Sequence, residues 1–272
     1  MPRNAIRSDE APPDLHSVAP AVTRAAALLQ LLAQPDTGAL GLSDFARRLG
    51  LPKSSIANLC AALEQADMVR RVNGGYMLGH RVLELGSAYL RTVDVLQDFH
   101  ETCRTLPTAS QETLLFATLD ELDVLYLARH DGTQPIRLGS DIGRRLPAAV
   151  TGLGKAMLAQ LDPGEVEERH RLLPAFPVLT PNSNRSVTEL IEDLARTRER
   201  GYAIDDEENT AGVTCYAVAL PTADPDEQRR GVSVTLLKAR DTDELRERLV
   251  ADLRQLAKHL SMRSAVGLGR PA

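Results

Sequence analysis

The chain has 272 residues, is 43% hydrophobic and 25% charged, and carries a formal net charge of −5. That length suits two domains with separate cores, and the composition is that of a globular protein rather than a disordered or fibrous one. Three well-separated cysteines (Cys60, Cys103, Cys215) and six histidines without metal-ligand spacing argue against a disulfide framework or a zinc cluster, and no apolar run approaches the roughly 20 residues that span a bilayer.

The opening stretch, MPRNAIRSDEAPPDLHSV, is polar and contains prolines. It lacks the pattern of a signal peptide, so residues 1–19 are expected to form a flexible arm and the protein to be cytoplasmic. Residues 20–34 then read as a helix with Leu28, Leu29, Leu31 and Leu32 as its core. Arg24, near its start, suits a phosphate contact and equally suits a plain surface position.

Residues 42–79 carry the strongest pattern. Leu42, Phe45, Ala46 and Leu49 recur at helical spacing, and Gly50 stops that helix. Pro52 can open the next one, since a first helical position needs no N–H. The second helix buries Ile56, Leu59, Cys60 and Leu63. Its other face presents Ser54, Ala57, Asn58, Ala61 and Gln65, small and polar enough to approach base edges in a major groove. A hairpin follows: Met68 to Val72 and Tyr76 to Leu78 flank Asn73-Gly74-Gly75, residues that tolerate positive φ. Arg70 and Arg71 sit on its first arm. Helix, turn, helix and basic hairpin in this order predict a winged helix-turn-helix over residues 20–79. The bland alternative is a structural helical subdomain with a surface hairpin. Candidate contacts to double-stranded operator DNA are Arg24, Lys53, Ser54, Ser55, Asn58, Arg70, Arg71, Tyr76 and Arg81.

Charge supports this division. The first 92 residues hold ten Lys/Arg against eight Asp/Glu, and the rest hold 22 against 29. Phosphate attraction is local, so the acidic remainder is compatible with DNA binding. A net +2 binds one duplex weakly, and several such domains presented together gain through linkage, which favours an oligomer.

Residues 80–92 are expected to form a linker helix with Val82, Leu85 and Tyr89 as a stripe, and another helix runs from about Val95 to Leu106. A second domain over 93–265 mixes hairpins and helices. Strands are expected at 113–119, 122–129, 135–140, 213–221 and 231–237, and helices at 152–161, 186–201 and 241–260. Ser186 and Glu189 form a capping box, and Gly201 is the stop. Residues 266–272 are expected to form a flexible tail. The fold class is α+β in two domains: an all-α winged helix-turn-helix with a small β wing, then an α+β domain around a mainly antiparallel sheet.

From Ala21 to about Met262 the chain resembles the IclR family of bacterial transcriptional regulators. The resemblance rests on the helix-turn-helix and wing, on LGHRVLELG, and on three later blocks: GRRLPAAVTGLGKAMLA (143–159), RGYAIDDEENTAGVTCYAVALP (200–221) and GVSV (231–234). It implies a C-terminal domain that binds a small organic, aromatic or sugar acid, dimers made through the DNA-binding domains, and pairing of dimers into tetramers. The family's effector positions fall on Gly152, Leu153, Asp205, Cys215, Ser233 and Thr235. Two departures stand out. Family members commonly have Arg where this chain has Asn58, a residue that can still pair with adenine, so its operator is expected to differ from those of relatives. Leu115 replaces a residue that is often polar.

The effector turn has a physical rationale of its own. In Thr151-Gly152-Leu153-Gly154-Lys155, glycines before a helix admit close backbone approach, and free first-turn N–H groups attract an anion. Hydroxyl and thiol groups on neighbouring strands could bond the other oxygens of a hydroxy or keto acid, with Val213 and Leu146 as apolar walls. The turn is not a P-loop, because Ala156 stands where Ser or Thr must bind magnesium. No cofactor is implied. Alone, GLGK reads equally as a tight turn, Asp205 to Glu208 as a solvated loop and Cys215 as a buried strand residue. Two other functions compete: a ligand-free oligomerisation scaffold, and an enzyme with Cys215 as nucleophile, which would need a base that none of the blocks supplies.

Overall fold

A computed structural model describes residues 17–34, 37–93, 95–133, 141–222, 224 and 227–267. They divide into two compact units between Thr92 and Val93. Most of the expected arm, most of the expected tail and the strand expected at 135–140 lie outside the described residues.

The first unit comprises α1 (Pro20–Leu32), α2 (Leu42–Leu49), α3 (Lys53–Gln65), β1 (Val69–Val72), β2 (Gly75–Leu78) and α4 (His80–Arg91). The apolar stripes of α1, α2 and α3 meet in one core containing Leu28, Leu32, Phe45, Leu49, Ile56 and Cys60. The Asp44 carboxylate accepts the Gly41 N–H at 3.1 Å at the start of α2, and Gly50 ends it at φ 65°. This left-handed residue makes the tight turn to α3. Pro52 is the N-cap of α3, which starts at Lys53, one position after the helical start expected from sequence. The hairpin is antiparallel, with Val69 opposite Leu78. Only Gly74 of the turn glycine–asparagine cluster takes positive φ, at 90°. Leu40 adds a bridge to Tyr76, and a Cβ at Gly75 would lie 2.4 Å from the Leu40 carbonyl, so this position admits only glycine.

The apolar stripe of α4 is uncovered. The helix buries no residue, and Leu83, Leu85 and Tyr89 are 73%, 54% and 45% exposed.

The second unit comprises α5 (Val95–Cys103), β3 (Thr113–Asp120), β4 (Asp123–His130), β5 (Arg145–Pro147), α6 (Gly152–Leu158), α7 (Pro163–Arg171), α8 (Val187–Arg200), β6 (Ala203–Asp206), β7 (Val213–Ala219), β8 (Arg230–Leu237) and α9 (Asp243–Gly267). The strands form one sheet in the order β5-β4-β3-β8-β7-β6, with every pairing antiparallel. β3 is buried on both faces, which explains its unbroken apolar run TLLFATL. α5 and α9 lie against the sheet, and α6 packs on β7, β6 and β8 with α8 against it. Leu115, Ala117, Tyr126, Leu153, Met157, Leu190 and Ala217 join sheet, α6 and α8 in one core.

Several elements differ from the sequence expectation. α9 continues to Gly267, so residues 266 and 267 are helix rather than tail. α7 shows only Val166 and His170 to the interior, too few to mark a stripe. α6 stops at Leu158. At α8 the Ser186 hydroxyl caps the Glu189 N–H at 3.2 Å, while the Glu189 carboxylate takes the Arg185 N–H at 2.8 Å rather than that of Ser186.

α6 is seated by a second close approach: a Cβ at Gly154 would lie 2.2 Å from the Ala148 carbonyl. Gly154→Ala should therefore cost about 2 kcal/mol or more, lowering the melting temperature by several degrees. Gly152→Ala, whose methyl meets nothing closer than 3.4 Å, should melt almost as the wild type does. Equal melting of both variants would show that α6 is not seated this way.

Candidate DNA-binding surface and effector site

α3 presents Lys53, Ser54 and Asn58 to solvent, with Ser55 half-buried. Its N-cap is Pro52, which offers no side-chain bond, so the first N–H groups of this 13-residue helix stay open to an external acceptor such as a phosphate. Arg70 and Arg71 are exposed on β1, Arg81 is exposed on α4 and paired with Glu84 at 2.7 Å, and Arg24 is half-buried on α1.

Tyr76 departs from the expectation. It is 6% exposed and belongs to the wing core, so its ring faces the protein and not the solvent. Its hydroxyl accepts from Arg71 Nη2 at 2.8 Å, and the Arg71 guanidinium lies 5.2 Å from its ring centroid. Tyr76 thus positions Arg71, a stacking role that fits a planar guanidinium. Glu64 Oε2 flanks the same group at 3.5 Å.

In the second unit, strand register assembles the site. Asp205 pairs with Cys215, Cys215 with Thr235, and Thr235 with Thr113. Directly paired residues share a face, so these four make one polar row across β6, β7, β8 and β3. Cys215 Sγ lies 3.2 Å from Thr235 Oγ1. Ser233, paired with Ala217 and Leu115, lies two residues along the same face, and Val213 flanks Cys215 on β7. Leu153 is buried and Leu146, on β5, is half-buried against the same core.

Gly152 sits over the row: a Cβ there would be 3.5 Å from the Cβ atoms of Cys215 and Ala217. The Gly154 N–H donates to Thr151 Oγ1 at 3.0 Å, and the Lys155 N–H to the Thr151 carbonyl at 2.9 Å. Among the described residues that leaves the N–H groups of Gly152 and Leu153 without a partner. Since α6 has only seven residues, these two donors matter more to an anion than the dipole of so short a helix.

Burial sets the electrostatics. Asp205 Oδ1 accepts the N–H groups of Glu208 and Asn209 at 2.8 and 3.1 Å. Burial, then the neighbouring Glu208 carboxylate, nevertheless push its pKa up to about 7. Burial and the Asp205 charge raise the Cys215 thiol, which stays protonated. Behind the row, Lys155 is fully buried and donates to Asp193 Oδ2 at 2.7 Å and to Glu208. Burial also raises the Glu208 pKa, against the opposing pull of Lys155.

The four acids at 205–208 are therefore not one solvated loop. Asp205 and Glu208 turn inward, Asp206 pairs with Lys238 at 2.6 Å, and Glu207 accepts the Gly212 N–H at 2.7 Å. Two groups at the site carry little signal in the sequence pattern. Lys155 is marked only as a lone cation amid GLGKAML, and Tyr126 reads as an ordinary strand aromatic. Its hydroxyl is close enough to feel Cys215, Asp205 and Arg144.

A winged helix-turn-helix unit joined to a sheet domain with a buried polar row is the build of a DNA-binding regulator with a sensing domain. Residues 21–73 match the IclR helix-turn-helix domain, and residues 87–262 match the bacterial transcriptional regulator IclR C-terminal domain. The chain belongs to the IclR family of bacterial transcriptional regulators, with an N-terminal DNA-binding domain and a C-terminal effector domain. It is 34% identical to the transcriptional repressor IclR of Escherichia coli over 204 residues, 73% of each chain. Among solved structures, an IclR regulator from Alicyclobacillus acidocaldarius has a TM-score of 0.78 at 24% identity, covering 90% of this chain and 99% of that one. An IclR homologue from Microbacterium hydrocarbonoxydans, complexed with 4-hydroxybenzoate, has a TM-score of 0.73 at 23% identity, covering 89% and 98%.

The Asp205 carboxyl predicts a pH signature. Its folded pKa of about 7 lies above the ~3.9 of an unfolded chain. The stability it lends is full below the unfolded value and is lost as pH rises through the folded one. Between pH 5 and 8 the melting temperature of the wild type should fall more steeply than that of Asp205→Asn, which lacks this proton. Parallel profiles would contradict the burial of Asp205.

Proposed function

We propose that this regulator binds a double-stranded operator as a homodimer, paired further into a tetramer, and that a small organic acid bound between α6 and the polar row changes its operator affinity. The observation that carries the effector reading is the placement of two unclaimed N–H groups, Gly152 and Leu153, above Asp205, Cys215 and Thr235. A carboxylate fits the donors, and its remaining oxygens fit the hydroxyl, thiol and carboxyl groups. The 4-hydroxybenzoate held by the Microbacterium homologue is an acid of this kind.

Α4 supports the oligomer. A stripe of exposed leucines and a tyrosine on a helix that buries nothing suits a second copy better than solvent. Regulation requires the acid to bind the DNA-competent and incompetent arrangements with different affinity. α4, which ends at Arg91 just before the second unit, is the segment placed to transmit that difference. Cys215 is a ligand contact in this reading and not a nucleophile, because its thiol is held protonated, and the protein acts without catalysing a reaction. None of its described helices is long and apolar enough to cross a membrane.

Gel shifts on the DNA flanking its own gene test the reading. Gly152→Leu should abolish the acid's effect on the shift while operator affinity stays unchanged. Asn58→Ala should cut the preference for operator over random DNA by about 1–3 kcal/mol, and Arg70→Ala should weaken all sequences alike and lower the salt slope by about 1. A Gly152→Leu protein that still responds fully would overturn the site, and a wild type with no preference for its own flanking DNA at low salt would overturn the operator reading.

A further inference from the structure

The polar row contains a group that the acid's carboxylate does not use. Thr113, at the β3 end of the row, is 1% exposed, and its Oγ1 has no hydrogen-bond partner among the described residues. A buried hydroxyl left without a partner costs roughly 1–3 kcal/mol, so a site that keeps one gains from a ligand that supplies the bond. Its register partner, Thr235, is already engaged with Cys215.

A second feature shapes the α6 side of the sheet. The β3–β4 register slips between Phe116 and Ala117: Phe116 faces Ala128, but Ala117 faces Tyr126, leaving Leu127 as the extra residue. A bulge of this kind rotates the following side chain to the other face. Without it Leu127 would stand opposite Ala117. With it Tyr126 does, and its ring joins Leu115, Leu153 and Ala217 under α6. The phenol is 4% exposed and lies near Asp205 and Cys215. Bulges next to binding sites serve to aim side chains.

Resting on the acid-binding reading above, we propose that Thr113 forms a second, hydroxyl-recognising end of the site, which selects carboxylic acids bearing at least one further hydroxyl over acids of the same skeleton without it. The carboxylate takes the Gly152 and Leu153 donors. The ligand hydroxyl, both donor and acceptor, bonds Thr113 Oγ1 at the β3 end of the row. A site built to bond a hydroxyl discriminates strongly against the analogue that lacks it, since its own buried groups then stay unpaired.

The test uses the full chain and three matched pairs: 4-hydroxybenzoate with benzoate, 4-hydroxybutyrate with butyrate, and glycerate with propionate. Thermal shift finds the pairs that bind, and titration calorimetry measures them. In at least one pair the hydroxylated acid should bind ten times more tightly or better. Thr113→Val should bring that ratio to within threefold by weakening the hydroxylated acid alone, while Thr113→Ser keeps the ratio. If the hydroxyl-free acids bind the wild type as tightly as their partners, this inference fails and the acid site stands. If no acid of either kind shifts the melting curve, the acid site itself fails and takes the inference with it. Should Thr113→Val not fold, the wild-type ratios and Thr113→Ser still decide.

Discussion

The effector domain is organised around one buried charge. Lys155 is 0% exposed and holds Asp193 from α8 and Glu208 from the loop after β6. Placing an ammonium in the interior costs several kcal/mol unless carboxylates surround it, and removing either partner leaves the other uncompensated. α6, α8 and the β6 end therefore have one favourable relative placement. Arg196 and Arg200 extend the cluster outward, at 3.4 and 3.6 Å from Asp193 Oδ1. Because Lys155 lies three residues after Gly152, fixing its ammonium also fixes the two free N–H groups at the head of the helix. Glu208 acts on both sides, binding Lys155 and raising the pKa of Asp205. The charge that seats the helix is thus electrostatically linked to the polar row beneath it.

The DNA-binding unit solves a different problem with little charge. A net +2 over 92 residues gives weak attraction to any duplex, so affinity has to come from placement and from repetition. Placement is visible in Arg71, which Tyr76 and Glu64 hold against the wing, and in the open N-terminus of α3. Repetition belongs to the proposed dimer, for which α4 leaves an apolar face uncovered. In the proposed dimer a weak single unit would be an advantage, since a modest change in the spacing of two units would alter binding steeply.

Most of the architecture was legible in the sequence because it obeys simple periodicities. Ile56 and Cys60 at helical spacing, Gly50 as a left-handed stop and the long alternation-free run of β3 each have one reading. The elements that escaped are those whose local sequence contradicts their environment. AIDD at 203–206 looks like exposed loop, yet it is an edge strand whose Asp205 faces inward, since β6 is set by pairing with β7 rather than by propensity. α7 is too polar to show a stripe. Of the residues carried over from the family resemblance, Asp205, Cys215, Ser233 and Thr235 fall on one face because strand register puts them there. Tyr76 misled because an aromatic in a wing is equally good as core. Lys155, Thr113 and Tyr126 stayed hidden because their roles depend on distant partners: a carboxylate 38 residues away in the chain for Lys155, and a bulge for Tyr126.

The account rests on an acid lying between the head of α6 and the row formed by Asp205, Cys215, Thr235 and Thr113. Hydrogen–deuterium exchange on the full chain, with and without the acid that raises its melting temperature most, addresses this directly. Slower exchange should centre on the amides of residues 151–155, with lesser protection across β7 and β8. Unchanged exchange at 151–155, with protection appearing in some other part of the chain, would contradict it.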